Sequence, residues 1–156
     1  MIKLPTFPVE GGCACGAVRY RLKEAPLAIY TCHCTDCQTL STSAFTLTMP
    51  LRHEALEIIQ GELKTWIRTP PSGNELPQHC CANCGVRIYS EPKGRTTYSL
   101  RCGTLDDTNW IEPVAGIWMR SAQPWVRMPE GCLLFETDGD FAGQIIPRFR
   151  ELTQAP

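Results

Sequence analysis

The sequence predicts a mainly β fold, built as a single domain of antiparallel sheets with few short helices. Three observations carry that expectation. Apolar and polar residues alternate with period two in many short segments. The 13 prolines and 12 glycines punctuate the chain at close intervals. The length of 156 residues and the apolar share of 43% suit one packed core.

Taken in order, Val18, Tyr20 and Leu22 alternate with Arg19 and Arg21, the pattern of a half-buried strand. Another strand is expected at 27–30, then one short turn of helix at 36–43. Phe45, Leu47 and Met49 alternate with Thr46 and Thr48. Strands at 56–60 and 63–68 flank Gly61, and Pro70-Pro71-Ser72-Gly73-Asn74 makes a turn. Val86 and Ile88 alternate around Arg87, and Pro92-Lys93-Gly94 turns the chain again. Tyr98, Leu100 and Cys102 alternate with Ser99 and Arg101. Strands are expected at 114–119 and 132–135, with a turn at Asp138-Gly139. Residues 141–152 have helix-like spacing, but Pro147 inside them should kink or end the helix. With no linker, repeat or low-complexity segment, residues 1–156 read as one domain, its core at about 9–140 and its tail at 141–156.

Composition narrows the function. The 15 basic and 16 acidic side chains leave a net charge of −1, which argues against a nucleic-acid partner. The longest apolar stretch, near 113–119, is too short to span a bilayer. The opening MIKLPTFPVEGG has no apolar run, so no secretory signal is expected and the cytoplasm is the expected compartment. In a reducing compartment, 10 cysteines point to metal or thiol chemistry rather than disulfides. Nothing in the sequence sets the oligomeric state.

Seven cysteines fall into three clusters: Cys13 and Cys15 in C-x-C, Cys32, Cys34 and Cys37 in C-x-C-x-x-C, and Cys81 and Cys84 in C-x-x-C. On an extended chain, C-x-C turns both sulfurs to one face. In C-x-x-C the chain turns back, so backbone N–H groups can point at the first sulfur. Gly85 suits the positive φ that closes such a turn. Clustered thiolates are soft ligands that favour zinc or iron. A closed structural zinc takes four protein ligands, whereas a catalytic one takes three and keeps a vacancy. The economical partition joins Cys13, Cys15, Cys81 and Cys84 in a closed site and leaves Cys32, Cys34 and Cys37 as an open one. The rival partition pairs Cys34 and Cys37 with Cys81 and Cys84 like a zinc ribbon, and strands Cys13, Cys15 and Cys32.

The remaining candidates have plainer readings. Cys102 and Cys132 lie among apolar neighbours and read as core residues. Cys80 could replace Cys81 only in a C-x-x-x-C geometry. Alternation sends His33 away from a metal held by its neighbours, while His53 and His79 have no partner visible in the sequence. Asp36 reads as a cap of the turn after it, or as a proton handler near the open site.

In this order and spacing, the clusters resemble the glutathione-dependent formaldehyde-activating enzyme (Gfa) family, which also includes centromere protein V-like members. The resemblance runs from GGCACGAVRY through YTCHCTDCQTLSTSAF and GELKTWIRTPPSG to HCCANCGVRIYS, and reaches Ile117-Trp118 and Pro124-Trp125-Val126. It implies a zinc-stabilised β fold shared with a small Rab exchange-factor chaperone and with methionine sulfoxide reductase B. It implies two zinc ions per chain: a structural one on Cys13, Cys15, Cys81 and Cys84, and a catalytic one on Cys32, Cys34 and Cys37. Three residues depart from the family pattern. Thr42 stands where glycine is expected, Gln38 where arginine is frequent, and Cys80 where phenylalanine is usual. The first two flank the triad and bear on the substrate rather than on the fold.

The activity so implied is a carbon–sulfur lyase that adds a thiol such as glutathione to formaldehyde or a related small electrophile, and reverses the step. Arg101 and Arg120 are candidates to receive carboxylates, and Trp118 and Trp125 to wall the pocket. The alternative is a zinc-stabilised protein-binding module with no catalysis, favoured if His33 or Cys80 fills the vacancy. A thiol redox enzyme fits less well, since a sulfoxide reductase of similar fold would use two C-x-x-C pairs and the first pair here is C-x-C.

Overall fold

A computed structural model describes residues 1–69 and 73–154. In chain order its strands are β1 (Val9–Gly12), β2 (Arg19–Leu22), β3 (Tyr30–Cys32), β4 (Thr46–Arg52), β5 (Leu56–Gln60) and β6 (Leu63–Arg68). They continue as β7 (Leu76–Cys81), β8 (Arg87–Ser90), β9 (Thr97–Arg101), β10 (Ala115–Ile117) and β11 (Leu133–Leu134). Helix α1 spans Thr35–Ser41 and α2 spans Ile146–Thr153. The described residues form a mainly β fold with two α-helices, and they divide into two compact units.

One unit comprises 4–26 and 50–109. Its first sheet has the order β1-β2-β5, antiparallel throughout. Strand β2 shows why alternation works. Tyr20 and Leu22 are buried, while Arg19 pairs with Asp106 and Arg21 with Glu10. The buried Tyr20 hydroxyl is hydrogen-bonded to Thr104 Oγ1 at 2.8 Å, so its polar tip is satisfied. Strands β6, β7, β8 and β9 pair antiparallel in sequence order. Leu63 opposes Cys81, which holds Cys81 at the end of β7.

The other unit comprises 1–3, 27–49 and 110–156. Here β3 pairs antiparallel with β4 and parallel with β10, and β10 pairs parallel with β11. The antiparallel expectation therefore fails at β10. A hairpin forces antiparallel pairing, but β3 and β10 are separated by a long connection that permits parallel entry. Ile117 lies opposite Cys32, which fixes the height of the triad on β3. Ala28, Ile29, Val114, Ala115, Ile145 and Phe149 are buried.

Several boundaries moved. β3 starts at Tyr30, so 27–29 lie outside it. Strands β1 and β7 have no clean alternation: Gly11-Gly12 ends one and Gln78-His79-Cys80 interrupts the other, with a register shift between His79 and Cys80. Pro147 does not kink an α-helix. It lies at the start of α2, where a missing N–H costs nothing, and residues 141–145 before it wind as a π-helical turn. The turn at 92–94 is present, with Gly94 at φ +77°. Pro70, Pro71 and Ser72 lie outside the described residues.

Candidate metal centres

Cys13, Cys15, Cys81 and Cys84 bring one sulfur each to within 4.8 Å of all the others. Cys13 and Cys15 are 3.5 Å apart, and Cys15 and Cys81 3.9 Å. The C-x-C is not extended, as expected from the spacing, but lies in a turn after β1, closed by Gly16 N–H donating to the Cys13 carbonyl at 3.1 Å. A second turn has the same build, with Gly85 N–H donating to the Cys81 carbonyl at 3.0 Å. Gly16 and Gly85 both have φ +76°, so each turn closes at a residue with no Cβ to strain.

Backbone N–H groups converge on these sulfurs. Val18 donates to Cys13 Sγ at 3.2 Å and Cys84 to Cys81 Sγ at 3.4 Å, while the Asn83 side-chain amide donates to Cys15 Sγ at 3.3 Å. The Val18 donor holds the Cys13 thiol down to about 6, and the Val86 N–H lowers Cys84. Cys81 goes the other way, to about 11: the Cys84 N–H lowers it, but burial and the neighbouring thiols outweigh that.

Cys32, Cys34 and Cys37 form the second group, again with all sulfurs within 4.8 Å. Two adjoining elements, β3 and α1, supply them. Cys32 ends β3, Cys34 is the N-cap of α1, and Cys37 is in its first turn. The cap is itself a thiol, for Cys34 Sγ accepts the Cys37 N–H at 3.3 Å. Asp36 is in the first turn of α1 and is not the N-cap residue, correcting its reading as a cap. Cys37 is anchored through its carbonyl, which accepts from Ser41 Oγ at 2.7 Å and Thr46 Oγ1 at 3.1 Å. The Cys32 thiol is held well above its ordinary range by its hydrogen bonds to Cys34 and Cys37 and by burial. Cys37 is also raised: its hydrogen bond from Cys32 lowers it, but the Cys34 thiol and burial prevail.

Among the described residues, no fourth Cys, His, Asp or Glu atom joins the triad. His33 is fully buried and turned aside, its ring Nε2 hydrogen-bonded to Thr31 Oγ1 at 2.9 Å and its backbone N–H donating to the Ile117 carbonyl. Neither cluster includes Cys80, which lies opposite Lys64 and Arg87 on neighbouring strands. The sulfurs gathered with Cys81 and Cys84 are those of Cys13 and Cys15. Cys102 is fully buried, which pushes its thiol up to about 12, and half-buried Cys132 donates to the Pro113 carbonyl at 2.9 Å.

Two backbone features beside the triad escaped the sequence reading. Thr42 ends α1 at φ +50° and Trp118, just after Ile117, has φ +59°. A β-branched residue in the left-handed region is a true outlier. Trp118 is tied by its N–H to the Thr137 carbonyl and by its indole to Asp138, while Arg120 lies 4.8 Å over its ring. Gln38 is also occupied. Its amide donates to the carbonyls of His33 at 2.8 Å and Ser121 at 2.9 Å and accepts from Gln123 at 3.2 Å. A cleft of about 570 Å³ opens beside α1, walled by Gln38, Thr39, Thr42, Ser43, Gln123 and Trp125. Trp125 thus reaches a pocket wall, whereas Trp118 is not among those lining it. Arg101 donates to Ser90 Oγ at 2.8 Å. His53 stacks on Tyr98 and His79 on Tyr89. No helix among the described residues is long and apolar enough to cross a membrane.

Comparison with known proteins adds three findings. A family model described as glutathione-dependent formaldehyde-activating enzyme matches residues 8–121. A solved Rhodobacter sphaeroides protein, a structural-genomics target, is similar at a TM-score of 0.51 and 18% identity, over 64% of this chain and 90% of that one. At that identity the likeness speaks for the fold alone. No curated protein matches the chain.

Proposed function

This chain belongs to the glutathione-dependent formaldehyde-activating enzyme family, and on that footing we propose that it joins a thiol such as glutathione to formaldehyde or a related small electrophile at zinc, as a carbon–sulfur lyase does in reverse. The observation that carries the reading is the unequal count: four sulfurs converge in one cluster and three in the other. Both donor sets fit zinc, being soft, clustered and supplied with N–H groups that spread thiolate charge. Cys13, Cys15, Cys81 and Cys84 would close a structural site, and Cys32, Cys34 and Cys37 would hold a catalytic ion with one position open. When bound, that ion supplies Lewis acidity, favouring a thiolate or polarising a carbonyl.

The chain's own residues do the positioning. The Cys37 N–H on Cys34 Sγ spreads charge on a ligand, and the Ser41 and Thr46 hydroxyls fix the backbone at Cys37. The His33 ring, drawn away by Thr31, keeps clear of the vacancy. In the forward step a C–S bond forms, and the thiol proton goes to the carbonyl oxygen, giving an S-hydroxymethyl adduct. The reverse step breaks that bond. A reducing cytoplasm is the compartment in which ten free thiols would persist.

The test is a zinc count on the purified protein, followed by NMR of adduct formation from glutathione and formaldehyde. Two zinc ions per chain and faster adduct exchange are expected. A protein with four ligands at both zincs and no effect on exchange with any thiol would be a binding module.

A further inference from the structure

His33 stands between two cysteines of the triad, and both of its backbone groups lead to the same segment of chain. Its N–H donates to the Ile117 carbonyl at 3.0 Å. Its carbonyl accepts from the Gln38 amide nitrogen at 2.8 Å, and that same nitrogen donates to the Ser121 carbonyl at 2.9 Å. Ile117 also lies opposite Cys32, on a neighbouring strand about 4.8 Å away. Residues 118–120 are therefore tied at both ends to the stretch that carries the three sulfurs. Their own amides fix them as well. The N–H groups of Trp118, Met119 and Arg120 donate to the carbonyls of Thr137, Phe135 and Glu136. The segment is an arm with a set position beside the triad.

Arg120 is the charge on that arm. It is exposed, and its guanidinium carbon lies 4.8 Å from the centroid of the Trp118 ring. The ring is itself oriented, since its indole N–H donates to Asp138 Oδ1 at 2.8 Å. A cation over an indole face is held by the ring quadrupole but keeps its charge and its N–H donors. Among the described residues the Arg120 side chain joins no ion pair, whereas Arg19, Arg21, Arg52 and Arg148 each have a carboxylate partner. The φ of +59° at Trp118 turns the arm at a cost in backbone energy, and residues strained in this way gather at ligand clamps. A thiol held at the triad would place a glycyl carboxylate such as that of glutathione about two residues of chain, roughly 7 Å, from its sulfur. An arginine side chain on the adjoining arm covers a span of that order.

We propose that Arg120, braced on Trp118, receives the glycyl carboxylate of glutathione, or the matching carboxylate of a related thiol, when the sulfur occupies the open position at Cys32, Cys34 and Cys37. Arg120 is thereby a specificity-determining residue, selecting thiols with a carboxylate at that distance over neutral ones. A guanidinium suits the task, because its planar fork meets a carboxylate through two parallel N–H donors. The inference rests on the triad acting as an open thiol-binding centre, and it names a residue outside the ligand set that decides which thiol enters.

A cobalt-substituted protein tests it, since a thiolate reaching the triad metal adds to the charge-transfer bands. Titration with glutathione, its glycyl ethyl ester and 2-mercaptoethanol gives an apparent Kd for each. Glutathione should bind about fivefold more tightly than the ester, the scale of one partly screened charge pair, and the gap should narrow in high salt. Arg120→Met should erase that gap, weakening glutathione about fivefold while the ester and 2-mercaptoethanol stay within about twofold. Arg120→Lys, which keeps the charge and loses the fork, should recover part of it. Equal affinity of the unaltered protein for glutathione and its ester, an Arg120→Met variant that keeps the gap, or a loss in that variant shared by every thiol would overturn the assignment while leaving the open centre intact. Spectra that ignore every thiol would remove the open centre itself, and the inference with it.

Discussion

Around Cys13, Cys15, Cys81 and Cys84, the turns close at glycines, Gly16 and Gly85, each at φ +76° with nothing within 4 Å of where a Cβ would sit. Around Cys32, Cys34 and Cys37, the left-handed positions are held by Thr42 and Trp118. The thiols differ in the same sense. In the first cluster Cys13 and Cys84 are lowered by backbone N–H donors and only Cys81 is raised, whereas Cys32 and Cys37 are both held up. One cluster gathers four sulfurs on turns that close without strain. The other keeps strain of about 1–2 kcal/mol at each unfavourable residue, and such strain persists where surroundings over-determine the backbone, as they do at working sites.

The largest effect should come from opening the four-sulfur cluster. Cys13 and Cys84 are distant in sequence, so one ion there ties the turn after β1 to the turn after β7. Cys84→Ala should lose that metal and cost roughly 5 kcal/mol or more, because metal binding of this kind is folding free energy. Metal content and a thermal melt report it, and a wild-type melt with full metal content would break the contrast. Cys37→Ser should instead keep the fold, lose the second metal and abolish thiol-dependent activity. Unfolding as deep as that of Cys84→Ala would make the triad a structural site too.

The clusters were legible because ligand chemistry is local: seven cysteines at short spacings fix a ligand count before any fold is known. Strands with clean alternation, such as β2, were legible for the same reason. What escaped depends on distant partners. Gln38 looks like an ordinary helix residue until Ser121 and Gln123 arrive from more than 80 positions away. The parallel pairing of β10 with β3 is decided by a long connection that no local pattern encodes. The left-handed backbone at Thr42 and Trp118 runs against residue preference, so the sequence points away from it.

A pH titration of metal release sharpens the comparison at intermediate cost. Each thiol must lose its proton to bind a metal, so a raised thiol lets protons compete from a higher pH. Cys32 and Cys37 are raised, while in the other cluster Cys13, at about 6, and Cys84 are lowered and offset the raised Cys81. As pH falls in the presence of a chelator, the triad should therefore release its metal first. The four-thiol cluster should follow at lower pH. Absorbance of the chelator complex gives the two phases, and Cys37→Ser should remove the earlier one. A single phase, or loss of the later one in that variant, would contradict the difference in thiol environment.

The smallest effect exchanges the backbone strain between the two regions. Gly85→Thr places a β-branched residue at φ +76°, and because the space around it is open, the cost is that of the backbone alone, about 1–2 kcal/mol. Thr42→Gly should do the reverse at φ +50°, removing the Cβ penalty while giving up the hydrogen bond to the Ser41 carbonyl and increasing chain entropy. The terms nearly offset, so a net change of less than about 0.5 kcal/mol is expected. Denaturant unfolding of both variants with metal loaded measures the pair. If Thr42→Gly keeps its stability and weakens thiol binding at the triad, the strain positions α1 for its ligand. If it keeps its stability and binding is unchanged, the residue shapes only the rim of the cleft. A loss of stability in Thr42→Gly as large as that in Gly85→Thr would mean that the left-handed turn after α1 is stabilised by its threonine, and the contrast between relaxed and strained clusters would fall.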